Sequence, residues 1–131
     1  MKKVDLPDFD DMVALANDIG ALKTSLMLLE ARYEQLKADI TETVTTDPTY
    51  WGSDKKAPSN AHIKDTFHIN GFDDDTRTRL ELLRNTIATT TGELKTKENI
   101  FRIYESMIGV WRTQSANDRY DNAWQDLKSV V

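Results

Sequence analysis

His62 and His68 are the side chains of this chain best suited to acid-base or metal chemistry near neutral pH. They lie six residues apart in a loop-like stretch, and no carboxylate pattern around them fixes a metal geometry. Two acid clusters, Asp8, Asp10, Asp11 and Asp73, Asp74, Asp75, carry the oxygen ligands that magnesium and calcium take. Their spacing lacks the calcium-loop pattern, and helix capping accounts for both clusters without a metal. Cysteine is absent, which excludes disulfides, thiolate zinc sites and thiol nucleophiles. The 5 glycines are scattered singly, so no phosphate-cradling loop, dinucleotide fingerprint or nucleophile elbow is present. The sequence therefore assigns no catalytic residue, no metal ligand and no cofactor.

The stronger functional signal is apolar. Residues 46–72 connect two helical patterns and are far longer than the roughly two to eight residues a helical hairpin needs. Pro48, Gly52, Pro58 and Ser59-Asn60 punctuate a loop, yet Tyr50, Trp51, Phe67, Ile69 and Phe72 are too apolar for a freely solvated linker. Either these side chains cover the end of their own helices, or they anchor another protein, because aromatics dominate interface hot spots. The alternation Ile63, Asp65, Phe67, Ile69 predicts a short strand ended by Asn70-Gly71, which would seek the edge of a neighbour.

The elements that carry this connection are helices. From Met12 to Ile40 apolar residues recur at spacings of three and four, with Met12, Ile19, Leu26, Tyr33 and Ile40 in one row and Leu15, Leu22, Leu29 and Leu36 in the other. The spacing predicts a helix over about residues 8–44, opened by Asp8 and ended by the threonine-rich run before Pro48. A second helix is expected over about 73–114, with Leu80, Leu83, Ile87, Leu94, Phe101, Tyr104, Ile108 and Trp111 on its seam. Thr89-Thr90-Thr91-Gly92 is a stretch of weak helix formers where bending is expected. Folded back, the helices pair Ile40 with Leu83, Leu22 with Phe101 and Met12 with Trp111. A further row, Ile100, Ile103, Met107 and Val110, cannot be covered by one partner helix. After the polar residues Thr113 to Asn117, a short third helix over about 117–129 is expected to fold back and cover that row with Trp124 and Leu127. The expected fold is all-α, one domain over 1–131, a long antiparallel helical hairpin with a coiled-coil seam, a long inter-helix loop and a short C-terminal helix.

Charge narrows the partners. The net charge is -5, which works against attraction to nucleic acid and anionic membranes. Asp5 to Asp11 stand where a signal peptide would need its apolar core, so a cytoplasmic protein, or one within a particle assembled there, is expected. The reading that follows is a non-enzymatic structural or adaptor subunit binding protein partners, as a homo-oligomer or within a larger assembly such as a virion. Glu30 and Glu34 are similar to the acidic helices of the all-α nucleotide pyrophosphohydrolases, and that resemblance implies a metal-dependent hydrolase as the alternative. The chain lacks that family's paired acidic motif with its match on the next helix. Trp51-Gly52 resembles the Trp-x-Gly turn of small secreted helical hairpins, although here the two residues are adjacent. A third class, an acidic inhibitor mimicking nucleic acid, needs a continuous acidic stripe, which Lys23, Arg32 and Lys37 interrupt.

Overall fold

The computed structural model describes residues 6–130, with side chains to residue 128, and all of its regular structure is helical. In order, the elements are α1 (Phe9–Thr46), a 3-10 turn (Pro48–Tyr50), α2 (Asn60–His62), a π turn (Ile63–Phe67), α3 (His68–Asn70) and α4 (Asp74–Val130). The chain divides into two compact units. One is Leu22–Glu93; the other combines the residues up to Ala21 with those from Leu94 onward.

The unit Leu22–Glu93 holds the better-formed core. Leu36, Ile40, Val44, Ile63 and Leu80 are buried together, and Tyr33, Tyr50, Phe67, Phe72 and Leu83 pack against them. All of these side chains but Val44 are seam or connector residues, and removal of each fully buried one from water contributes roughly 1.5–3 kcal/mol. The threonine run does not shorten α1 as its propensity suggests. Thr41, Thr43, Thr45 and Thr46 donate their hydroxyls to the carbonyls of Lys37, Asp39, Thr41 and Glu42, so these side chains bond back onto their own helix. The helix stops at Asp47, whose carboxylate caps the following turn by accepting from the Thr49 amide at 3.0 Å.

No strand forms at residues 62–69. Ser59 accepts from the His62 amide and opens α2, and the His68 amide reaches back to the Ile63 carbonyl across one wide turn. Ile63 and Phe67 fit a period of two, but they are also four apart and share one face of a helix. The core selects the helical reading, burying Ile63 and half-burying Phe67 while Ile69 points outward. Gly71 ends the segment at φ +67°, and a Cβ there would overlap the Thr76 hydroxyl and come within 2.8 Å of the Arg77 amide. That close approach lets Thr76 Oγ1 accept from the amides of Phe72 and Asp73 while Asp73 Oδ1 accepts from the Thr76 amide, a reciprocal cap at the start of α4.

In the other unit, Asp8 caps α1 by accepting from the Asp10 amide at 2.8 Å. The seam positions Leu15, Ile19, Phe101, Tyr104 and Ile108 are half-buried, Leu94 is buried, and Lys97 pairs with Asp18 at 3.1 Å. The expected third helix is not a separate element, since α4 runs unbroken through Thr113 to Asn117. Those five residues include neither glycine nor proline, and they keep helical bonding. Thr113 donates to the Gly109 carbonyl and Arg119 Nε donates to the Ser115 carbonyl. A polar stretch without a breaker remains helical, so Trp124 and Leu127 are carried away from Met107 and Ile103 rather than folded onto them. Thr89 to Gly92 is helical as well, with Thr91 bonded to the Ile87 carbonyl.

Candidate functional site

The connector is built as a cap on the end of its own unit. Tyr50 and Phe72 rings meet at 5.1 Å between centroids, tilted by 54°, and both lie on the core. Phe67 also lies on the core and meets the His62 ring edge-on at 5.5 Å. Trp51 is half-buried, and its buried indole N–H has no acceptor among the described residues. Ile69 is 49% exposed, and its carbonyl accepts from the Arg84 guanidinium at 3.0 Å. The five aromatic and apolar residues singled out from the sequence therefore share one end of the unit but not one surface. Tyr50, Phe67 and Phe72 face inward, whereas Ile69 faces solvent.

His68 is placed by the π turn against α1. Its Nε2 lies 2.6 Å from Thr41 Oγ1. The Thr41 hydroxyl proton goes to the Lys37 carbonyl, so the oxygen is the acceptor and Nε2–H the donor. Partial burial, followed by the Lys37 ammonium, pushes the imidazole pKa below its ordinary value, with a lesser push from Lys64; the Lys37 carbonyl and the Glu34 carboxylate act the other way. An open groove of about 500 Å³ beside this histidine is lined by Tyr33, Glu34, Lys37, Thr41, Lys64 and Ile69 among others. Lys37 Nζ sits 2.7 Å from Glu34 Oε1 and 4.6 Å from the centre of the Tyr33 ring. Nothing in the sequence flagged this cluster, because Thr41 and His68 are 27 residues apart.

The acids have local duties. Hydrogen bonds from the Thr76 amide and hydroxyl hold the Asp73 carboxyl below its ordinary pKa. Asp74 and Asp75 reach Arg77 and Arg79 on the next turn. Glu30 and Glu34 line a groove with Tyr33, Arg84 and Ile87. No three histidine, aspartate or glutamate side chains gather to hold a metal ion among the described residues.

A run of exposed apolar side chains lies on α4 beyond Leu94. Ile103 is 58% exposed, Trp124 50% and Leu127 56%, with Ile100, Val110, Trp111 and Tyr120 also open to solvent. α1 contains a window of mean hydropathy 1.3, long and apolar enough to cross a membrane by length and composition. No protein family, no curated protein and no solved structure matches this chain.

Proposed function

We propose that this chain is a non-enzymatic structural or adaptor subunit that associates with other protein chains, copies of itself included, through the outer face of α4. In this reading α1 and α4 are the arms of a long antiparallel hairpin, and the connector closes its end. The observation that carries the reading is the row Ile100, Ile103 and Val110, continued by Trp124 and Leu127, which no other element covers among the described residues. Soluble monomers rarely leave so many large apolar side chains on one surface unless another molecule covers them. Asp18, inside the apolar part of α1, is ion-paired to Lys97, which favours a helix over lipid as the neighbour of that face. A component of a larger particle such as a virion fits the same description.

The test is the mass of the purified protein by light scattering over a hundredfold range of concentration, for the parent and for Ile103→Ser/Trp124→Ser. The reading expects a parent larger than one chain and a smaller double variant. A parent that stays monomeric throughout, or a variant with the parent's mass, would overturn it.

A further inference from the structure

We propose that the groove between the C-terminal part of α1 and the π turn binds a phosphate group, gripped by the ammonium groups of Lys37 and Lys64 and by the imidazole of His68. The three cationic or proton-accepting groups come from α1, the π turn and the start of α3, and line one groove of about 500 Å³. Lys37 is held in place rather than free to sweep, because its ammonium lies over the Tyr33 ring and rests on Glu34. Its side chain is only 23% exposed, so its charge is fixed at the groove wall. Lys64 has no ion pair among the described residues and leaves a positive charge uncompensated beside His68.

The charge balance selects the ligand class. Two ammonium groups and the Glu34 carboxylate leave one positive charge with His68 neutral and two with it protonated, in a chain whose total is -5. A phosphate dianion matches the protonated groove, whereas a single carboxylate matches only half of it. Thr41 Oγ1 holds the ring by accepting from Nε2–H, which leaves Nδ1 as the nitrogen able to receive a further proton and donate a hydrogen bond to a phosphate oxygen. Tyr33, Ala38 and Ile69 line the same groove and supply apolar wall for whatever the phosphate is attached to. In the empty groove the lysines disfavour imidazolium. A bound dianion reverses that field, so binding takes up a proton on His68.

His62 is the internal control, since it is the only other histidine. Imidazole C–H resonances of the full chain are followed by NMR while inorganic phosphate is added at constant ionic strength, with phosphoserine in a second arm and acetate in a third. The expected result is a saturable shift and a raised pKa at His68, with His62 unmoved and acetate far weaker. Lys64→Gln, at an exposed position, should weaken binding roughly two- to fivefold with an unchanged helical spectrum. Lys37→Gln should weaken it as well. The tighter of the first two arms distinguishes free phosphate from a phosphorylated side chain. Parallel movement of His62 and His68, an acetate response equal to that of phosphate, or full binding by Lys64→Gln would each overturn the proposal.

Discussion

Thr41 Oγ1 and His68 Nε2 meet at 2.6 Å, tying the last turns of α1 to the far end of the connector across 27 residues of sequence. The imidazole pKa is depressed chiefly by partial burial and then by Lys37, so the folded state binds fewer protons at His68 than the unfolded chain does. This histidine therefore contributes stability that is fully present above pH about 6.5 and is lost as pH falls through its lower folded-state pKa. Melting temperatures should decline over that interval, and His68→Gln should flatten the decline. An equal slope in the variant would place the titration elsewhere.

Ile63 is 2% exposed and Ile69 is 49% exposed, although both belong to the same apolar alternation in sequence. Ile63→Ala should cost about 2–5 kcal/mol in denaturant unfolding, and Ile69→Ala within about 0.5 kcal/mol. Equal costs would restore the strand-like reading of the connector.

Gly71 and Thr76 form a pair in which the glycine's missing Cβ makes room for the hydroxyl. Gly71→Ala should be destabilising by about 1 kcal/mol or more, from the positive φ and the overlap together. Thr76→Val, which keeps the shape but removes an acceptor used by two amides, should cost about 1–3 kcal/mol. A silent Thr76→Val would show that water replaces the cap.

Continuity of α4 through Ser115 is open to a direct test. Ser115→Pro removes one helical hydrogen bond and clashes with the preceding turn, at a cost of about 3 kcal/mol in a helix interior. The helical circular dichroism signal should fall. An unchanged spectrum would mean that a break between two helices already exists there.

The half-buried seam of α1 and α4 was legible because it needs only local information, a repeat of three and four that keeps apolar residues on one side of each helix. Leu36, Ile40, Leu80 and Leu94 are buried where that repeat places them. The end of α4 was misread. Ser115 and Asn117 are good caps, but a cap acts only where the backbone leaves the helix, and with neither glycine nor proline between Thr113 and Asn117 nothing compels it to leave. The connector was misread for a different reason. Ile63 and Phe67 satisfy two periods at once, and only packing against Ile40 and Leu80 distinguishes a π turn from a strand. The groove of Lys37, Lys64 and His68 was invisible because no local pattern relates residues on α1 to residues a long connection away. Sequence alone determined which faces of α1 and α4 are apolar, since that depends on spacing within one helix. Tertiary structure decided which of the connector's aromatics face inward and which polar groups share a groove, because both depend on where the chain returns.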